Sequence, residues 1–317
     1  MTDQIKSAIL RDGDTQVTVL NIGCAVQDWQ VAGRRVVLGH SDVEQYRENI
    51  GSMGIIAGRL ANRTGFGRFA LEGVTYQLPI NPGGIHHLHG GPMGLGKQIW
   101  EMEQTDDRAV TLRLHSPDGD QGYPGAVDFT VRISLDGSAL TWEMTGTPDR
   151  VTPIALCQHL YFNLAGQGTI RDHVVRLDAP TYTPVDDSLL PTGEILPVEG
   201  TRYDFREGAK LSEIDPDGQG YDLNLMLNEG NCTKAEVTSD GLRLQLWTDQ
   251  PGVQMYTSNM LTAHGAPWPG QSFGPFAGLC LEAQAAPNTV NMPQFGSVLC
   301  SPDAPYHQTT TIAISPV

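Results

Sequence analysis

Residues 128–144 read Asp-Phe-Thr-Val-Arg-Ile-Ser-Leu-Asp-Gly-Ser-Ala-Leu-Thr-Trp-Glu-Met, and apolar and polar side chains alternate on both sides of Asp136-Gly137-Ser138. A period of two is typical of a strand with one buried face. An Asp-Gly pair supplies the positive φ that a tight hairpin turn requires. The stretch therefore predicts an antiparallel β-hairpin.

Similar alternation recurs along the chain and predicts many strands. Gln16–Leu20 and Ala109–His115 are predicted strands. Two further hairpins share the alternation and a Gly-containing turn: Arg68–Leu71 with Val74–Leu78 around Glu72-Gly73, and Ala235–Thr238 with Leu242–Trp247 around Asp240-Gly241. The helical signal is limited to Asp42–Glu48, about two turns with Ser41 as the expected N-cap. The pattern predicts an all-β fold in which sheet packs on sheet, with few short helices.

Length and composition agree with this class of fold. The chain has 317 residues, with 36 Gly, 21 Pro and 18% charged residues, which suits a turn-rich β protein. Large all-β folds of this size often form one unit, so we expect a single domain over residues 1–317.

Charge and cysteine content restrict the partners and the compartment. The net charge is −16 with only 20 Lys and Arg, which argues against a nucleic-acid partner. The N-terminus lacks a secretory profile, and the chain has no apolar run long enough for a membrane span. Five widely spaced Cys, with no Cys-x-x-Cys pair, indicate a reduced, cytoplasmic protein, and a mature form whose signal has already been removed is the alternative. A monomer and a homodimer both remain open.

Two apolar segments each contain one ionisable residue, His159 within Cys157–Gly166 and Glu282 within Gly278–Gln284. A buried ionisable group is costly unless it is paired or has a task. One imidazole and one carboxylate across a pocket can form a general acid/base pair. The alternative is purely structural: a core histidine bonded to backbone and a carboxylate in a buried salt bridge.

Six segments combine polar residues with Gly, Pro or aromatic neighbours, and they occur in this order: Gly58–Arg63, Leu88–Gly91, Cys157–Gly166, Tyr221–Asn224, Gln250–Tyr256 and Gly278–Gln284. Pro191–Glu194 and Tyr203–Arg206 lie between them. Together they resemble the aldose 1-epimerase family, the galactose mutarotases. The resemblance runs from about Asn21 to the C-terminus.

The resemblance implies a large antiparallel β-sandwich, the galactose mutarotase-like supersandwich. It also implies a cofactor-free enzyme that interconverts the α and β anomers of a free monosaccharide such as D-galactose or D-glucose. Glu282 is then the base at the anomeric hydroxyl and His159 the acid at the ring oxygen. The other residues implied at the site are His89 as a second donor, Asn62, Arg63, Asp222 and Gln254 on sugar hydroxyls, and Tyr161 and Tyr256 as candidate stacking rings.

Two segments depart from the family pattern, Cys157–Leu160 and Ala285-Ala286, and we expect both to reshape the pocket wall. Within His86-His87-Leu88-His89, a zinc site at His87 and His89 is conceivable. It lacks a third ligand nearby in sequence, so we expect no metal and treat His86 and His87 as loop residues.

Three other functions remain as alternatives. A glycosidase would use Asp222 and Glu282 as its carboxylate pair, which leaves His159 without a role. A non-catalytic sugar-binding domain could dispense with Glu282 or His159. A hexose 6-phosphate epimerase of the same superfamily would need several cations, for which Arg59 and Arg63 are the candidates.

Overall fold

The structure is a computed structural model that describes residues 4–262 and 265–317. Its strands, in chain order, are β1 (Ser7–Asp12), β2 (Thr15–Leu20), β3 (Val26–Val31), β4 (Arg34–Arg35), β5 (Ile56–Ala57), β6 (Arg63–Thr64), β7 (Arg68–Leu71), β8 (Val74–Gln77), β9 (His87–Leu88), β10 (Glu101–Asp106), β11 (Ala109–Ser116), β12 (Val127–Asp136), β13 (Ala139–Pro148), β14 (Thr152–Pro153), β15 (Cys157–Gln158), β16 (Val174–Leu177), β17 (Thr181–Thr183), β18 (Leu196–Pro197), β19 (Ala209–Lys210), β20 (Asp222–Met226), β21 (Ala235–Ser239), β22 (Leu242–Thr248), β23 (Gly252–Tyr256), β24 (Cys280–Gln284), β25 (Leu299–Cys300) and β26 (Tyr306–Pro316). The predicted all-β class is confirmed.

Helical structure in the described residues is short. One α-helical turn covers Leu211–Ile214, and the 3₁₀ turns are Val43–Arg47, Gly65–Gly67, Leu95–Lys97, Asp120–Gly122, Ile170–Asp172, Thr289–Asn291 and Pro293–Phe295. None of these is long and apolar enough to cross a bilayer.

The helix predicted over Asp42–Glu48 is a 3₁₀ turn, and its predicted cap is wrong. Asp42, not Ser41, is the N-cap, and its carboxylate accepts from the Glu44 N–H at 3.0 Å. The Ser41 hydroxyl instead donates to the Ala266 carbonyl at 3.1 Å. Ser and Asp are both favourable N-cap residues. Here the Ser41 hydroxyl bonds to Ala266, which is distant in sequence, and Asp42 caps the turn.

A nine-stranded antiparallel sheet has the order β10-β11-β12-β13-β26-β22-β21-β16-β19. The three predicted hairpins are confirmed as β7–β8, β12–β13 and β21–β22. In the longest of them Val131 pairs with Met144, and buried and solvent-facing residues alternate along both strands. These two strands therefore present an apolar face to the core.

A five-stranded antiparallel sheet, β18-β17-β20-β23-β24, lies against the same core. Leu223 and Val253 from this sheet join one cluster with Val131 and Trp142 of the nine-stranded sheet. Trp29 of the four-stranded sheet β1-β2-β3-β4 packs on Trp142 with a ring separation of 6.3 Å. The architecture is the predicted antiparallel sandwich, held together by this apolar cluster.

Candidate active site

Strands β20, β23 and β24 form the floor of the candidate site because their two faces differ. Residues that share a face alternate along a strand, and directly paired residues lie side by side. The apolar set packs into the core, and its members are Leu223, Leu225, Val253, Met255, Leu281 and Ala283. The opposite face is mostly polar, with Asp222, Asn224, Gln254, Tyr256, Cys280 and Glu282.

Strand register aligns the polar face into rows across the sheet. Asn224 pairs with Gln254, and Gln254 pairs with Glu282. In the adjacent row Asp222 pairs with Tyr256, which in turn pairs with Cys280. Side chains that are distant in sequence are thus brought next to one another by antiparallel pairing alone.

A cavity of about 190 Å³ opens over this polar face. Its lining in the described residues consists of Ile50, Gly51, Ser52, Asn62, Arg63, Leu88, His89, His159, Tyr161, Asp222, Tyr256, Met260 and Glu282. Sites for drug-sized molecules are larger, roughly 300–1,000 Å³, so this one suits a small ligand. Gln254 lies beneath the cavity, where its Nε2 donates to Asp222 Oδ1 at 2.6 Å.

Two of the lining residues, His159 and Glu282, are in contact with each other. His159 Nε2 lies 3.5 Å from Glu282 Oε1, and the two side chains are 5% and 2% exposed. Each also touches a thiol: Cys157 Sγ lies 3.6 Å from Glu282 Oε2, and Cys280 Sγ lies 3.8 Å from His159 Nδ1. The sequence-based pairing of one imidazole with one carboxylate is therefore realised within contact distance.

Burial moves the pKa values of this pair in opposite directions. It raises the pKa of Glu282 to about 8, with the negative charge of Asp222 adding to the effect. Burial also lowers the pKa of His159 to about 4. Between these values the pair holds a single proton, because the charged form of each group is disfavoured in a site of low polarity.

Asn62 and His89 hold each other in place through two hydrogen bonds. The Asn62 N–H donates to His89 Nδ1 at 3.2 Å, and the His89 N–H donates to the Asn62 carbonyl at 3.1 Å. Both residues have positive φ, 58° and 51°, a conformation that Asn and His adopt more readily than most residues. A Cβ on the following residue, Gly90, would collide with the Gly58 carbonyl, so the turn requires glycine there.

This arrangement determines which hydrogen bond His89 offers to a ligand. Because Nδ1 accepts from Asn62, neutral His89 carries its proton on Nε2. Burial, together with the neighbouring His159 and Arg63, holds the pKa of His89 well below its usual range, which favours this neutral form. The ring is therefore a donor toward the cavity, 5.0 Å between centroids from His159.

The same tautomer bears on metal binding. Potential ligand atoms of His89, His159 and Glu282 lie within 4.8 Å of one another. A metal on His89 Nε2 would need the proton moved to Nδ1, which would break the bond from the Asn62 N–H. The trio is thus better arranged for proton transfer and hydrogen bonding than for a metal ion.

His86 lies in the bend before β9, as predicted, whereas the prediction that His87 is a loop residue is wrong. His87 belongs to β9 and is fully buried, with Nδ1 2.7 Å from the Pro79 carbonyl and Nε2 2.7 Å from the Tyr123 hydroxyl. His86 is also buried, and its Nδ1 accepts from the Phe66 N–H at 3.0 Å. Both nitrogens of His87 are engaged, which rules against the zinc pair of His87 with His89.

Asp222 and Arg63 form the polar wall of the cavity. Arg63 Nη2 lies 3.6 Å from Asp222 Oδ2, and Arg63 Nη1 donates to Asn62 Oδ1 at 3.4 Å. Together with the bond from Gln254, these contacts hold a carboxylate, an amide and a guanidinium in one network. Such groups match the paired donors and acceptors of neighbouring hydroxyls on a small polar ligand.

Arg59 does not accompany Arg63, although the sequence presented both as candidate phosphate-binding cations. Arg59 is 2% exposed and donates to Ser116, to Pro117 and to Gly125, with Nη1 2.8 Å from the Gly125 carbonyl. Its guanidinium supports the 116–125 loop, where backbone carbonyls satisfy a buried cation.

The residues that depart from the expected pattern lie off the cavity wall, although His159 in the first of the two segments lines it. Leu160 packs in the main core, and Ala285 packs against a separate cluster that contains Leu60. Neither is among the described lining residues, so the prediction that both segments reshape the wall is wrong on this point. Their importance is elsewhere: Cys157, in the first departure, contacts Glu282.

Sequence analysis missed the segment Ile50–Ser52 and Met260, which also line the cavity. No sequence signal marks them, because single apolar residues and Gly-Ser pairs occur in most loops. Tyr161 links this segment to the site, since its hydroxyl donates to the Gly51 carbonyl at 2.7 Å. Tyr161 and Tyr256, the predicted stacking rings, are neighbours in the wall with a centroid separation of 6.1 Å.

Comparison with known proteins agrees with this geometry. The sequence model of the family described as aldose 1-epimerase matches residues 6–313. The chain is 38% identical to the galactose mutarotase of Rattus norvegicus over 96% of this chain and 93% of that protein. It is 33% identical to the aldose 1-epimerase of Escherichia coli K12, over 90% and 86% of the two chains. The crystal structure of an aldose epimerase homologue from C. elegans superposes with a TM-score of 0.93 at 27% identity, covering 99% and 100% of the chains.

Proposed function

The chain belongs to the aldose 1-epimerase family, and we propose that its mutarotase activity acts on D-galactose, with Glu282 as general base and His159 as general acid. The observation that carries the proposal is the 3.5 Å contact between His159 Nε2 and Glu282 Oε1 inside a small, polar-walled cavity. A carboxylate and an imidazole at this separation can act on the two oxygens attached to one sugar carbon.

The reaction needs one proton removed and one delivered. Glu282 Oε1 takes the proton of the anomeric hydroxyl while the bond between C1 and the ring oxygen O5 breaks. His159 gives its proton to O5, and the product is an open-chain aldehyde. Rotation about the C1–C2 bond exposes the other face of the carbonyl, and closure proceeds with both roles reversed.

The proton inventory of the pair supports this scheme. Between a pKa of about 4 for His159 and about 8 for Glu282, the pair holds one proton in total, and the order of the two values puts it on Glu282 before the sugar binds. The reactive form, with Glu282 ionised and His159 protonated, has the same count and is reached by transfer of that proton across the 3.5 Å contact. Each half-reaction transfers a proton to one member and takes a proton from the other, so the pair ends each half with the same count. The pair therefore needs no exchange with solvent within a turnover.

The remaining wall supplies hydrogen bonds for binding. Asp222 and Arg63 suit a pair of neighbouring hydroxyls, and the Nε2–H of His89 suits the ring oxygen or an adjacent hydroxyl. Gln254 contributes indirectly, by holding Asp222. D-Galactose is proposed as the substrate because the mammalian relatives bear the name galactose mutarotase.

Two alternatives fit these contacts less well. Arg63 is the one Lys or Arg that a hexose 6-phosphate would meet among the described lining residues, and it already faces Asp222, because Arg59 is bound to the 116–125 loop. A glycosidase would leave His159 without a task, although its Nε2 contacts Glu282. An arrangement with both an acid and a base on one pocket favours anomer exchange.

Polarimetry of freshly dissolved α-D-galactose, with EDTA present, tests the proposal. We expect faster decay of the optical rotation to the same equilibrium value, and no acceleration by the Glu282→Gln variant. Acceleration only with D-glucose or a pentose would overturn the substrate, and acceleration only with glucose 6-phosphate would favour the sugar-phosphate alternative. Loss of activity on adding EDTA would contradict a metal-free acid/base pair.

A further inference from the structure

We propose that Cys157 is a positioning residue for the base: its thiol donates a hydrogen bond to Oε2 of Glu282 and thereby presents Oε1 to the sugar. This inference rests on the proposed function, because it assigns Cys157 a task in the same proton transfer. Cys157 Sγ lies 3.6 Å from Glu282 Oε2, while Oε1 faces His159 Nε2. The two carboxylate oxygens thus have different partners.

The thiol lies on a strand that is hydrogen-bonded to its neighbours, outside the lining of the cavity. Cys157 lies in β15, where it pairs with Ala57 of β5, and it is fully buried. The next residue, Gln158, donates from Nε2 to the Leu281 carbonyl at 2.7 Å, which ties β15 directly to the strand that carries Glu282. Cys157 is outside the set of described residues that line the cavity, so its effect on the reaction passes through Glu282.

The direction of the hydrogen bond follows from protonation. Burial, with the charge of Glu282, raises the pKa of the Cys157 thiol well above its ordinary value. At neutral pH the sulfur therefore keeps its hydrogen and can donate, and Glu282 in its ionised form, the form that acts as base, can only accept. A donor that favours the ionised carboxylate lowers the pKa of Glu282 and opposes the effect of burial.

The pH dependence of Glu282 has several other contributors, which stay constant in the test. The titratable and charged groups that face it in the described residues, besides Cys157, are His89, His159, Arg63, Asp222, Tyr161, Tyr256 and Cys280. A change at Cys157 leaves these groups in place and removes the thiol contact with Glu282, so a shift in the pKa of Glu282 reports on the thiol.

The first test compares Cys157→Ala with the wild-type enzyme in mutarotation of D-galactose. We expect kcat to fall roughly 3- to 10-fold with KM unchanged, since the lost interaction is one weak bond to a charged group. The alkaline limb of the pH profile should move up by roughly 0.5–1 pH unit, because Glu282 then binds its proton more tightly. Cys157→Ser, which keeps a donor, should recover most of both changes.

Cys300→Ala is the matched control. Cys300 is a buried thiol whose described hydrogen bond goes to the Val298 carbonyl, so its removal costs packing and leaves Glu282 untouched. Both alanine variants should lower Tm, and only Cys157→Ala should shift the alkaline limb. If the two variants behave alike in kcat and in pH profile, Cys157 has only a structural role and the proposal is overturned.

The second test reads the hydrogen bond without catalysis. The S–H stretching band of Cys157, assigned in the infrared difference between wild type and Cys157→Ala, should move in Glu282→Gln, where the acceptor is a neutral amide. If the band has the same frequency in the wild type and in Glu282→Gln, the proposed hydrogen bond from Cys157 is overturned, whether or not the wild type catalyses mutarotation. Absence of mutarotation by the wild type overturns the proposed function instead, so the two failures are distinguishable.

Discussion

The two faces of β23 and β24 are equally buried and chemically opposite. Met255 and Leu281 on the core face are 0% and 1% exposed, and Gln254 and Glu282 on the cavity face are 3% and 2% exposed. Burial alone therefore does not separate packing residues from site residues in this protein. What separates them is whether a buried group gains or loses free energy by leaving water.

The core face is buried because apolar side chains are more stable there than in water. On the cavity face, polar side chains are buried although they would be more stable in water. The raised pKa of Glu282 reflects this cost, because burial disfavours the ionised carboxylate. The folded pKa of about 8 lies above the model-compound value of 4.5, so stability should fall as pH rises from 4.5 to about 8. The enzyme thus keeps a base of useful strength at a cost in stability.

Glu282→Gln should have the largest effect on turnover. Its combined effect on kcat and on Tm should also differ most clearly from that of a substitution on the core face. We expect kcat to fall about 10³-fold, because an amide cannot accept the anomeric proton. At pH 8–9 the variant should unfold a few degrees higher than the wild type, since no carboxylate is left to ionise in a buried site. Polarimetry and thermal unfolding at pH 5 and pH 9 measure both.

The pH dependence provides the control for that variant. At pH 5 the wild-type Glu282 is already protonated, so the gain in Tm should disappear there. A variant that is less stable at both pH values would show that the carboxylate is a net stabilising group. The contrast between the two faces would then be wrong.

Leu225→Ala on the core face of β20 should produce the opposite pattern. Leu225 is fully buried in the main cluster, and truncation of a core leucine costs about 2–5 kcal/mol in the free energy of unfolding. In conditions where the variant is folded, kcat and KM should stay within about twofold of the wild type. Urea unfolding and polarimetry on the same sample test this, and a selective loss of kcat would contradict it.

Much of the fold was predictable from local pattern, because alternation and Gly-containing turns are short-range properties. The hairpin around Asp136-Gly137 formed with the expected strands. The order of non-consecutive strands, such as β13 beside β26, was not predictable, since it depends on how the two sheets close on one core.

The site residues were named by family resemblance, and the structure then supplied what sequence could not. It brings together Asn62, His89, His159 and Glu282 from different elements. Arg59 and Arg63 are four residues apart and look equivalent in sequence, yet one supports a loop and the other faces the cavity. Their difference is set by which carbonyls lie within reach after folding.

Asp222→Asn should have an intermediate effect, mainly on binding. The substitution keeps the shape, and it removes the charge that faces Arg63 and the carboxylate that accepts from Gln254. Hydrogen bonds to charged groups contribute about 1.5–3 kcal/mol, so KM for D-galactose should rise roughly 10- to 100-fold with a much smaller change in kcat.

Loss of kcat without a change in KM for Asp222→Asn would place Asp222 in the chemistry. That result would favour a carboxylate pair of Asp222 with Glu282, as a glycosidase requires. Gln245→Ala is a suitable control, because Gln245 lies on β22 and bonds only to Glu236 among the described side chains.

The smallest effect is expected from pH inside the range where the pair holds one proton. Between pH 5 and pH 7 kcat/KM should change less than about twofold, since the pair titrates at about 4 and at about 8. Below the lower pKa both groups are protonated and no base remains; above the upper pKa the pair has lost its proton and no acid remains.

Activity should therefore fall on both sides, and His159→Ala should remove the acid limb near pH 4 while it keeps a weakened alkaline one. A profile that rises steadily from pH 5 to pH 9 would mean that the base alone limits the rate. The buried imidazole of His159 would then only pack in the cavity wall, as the core-face residues pack in the core, and would take no part in proton transfer.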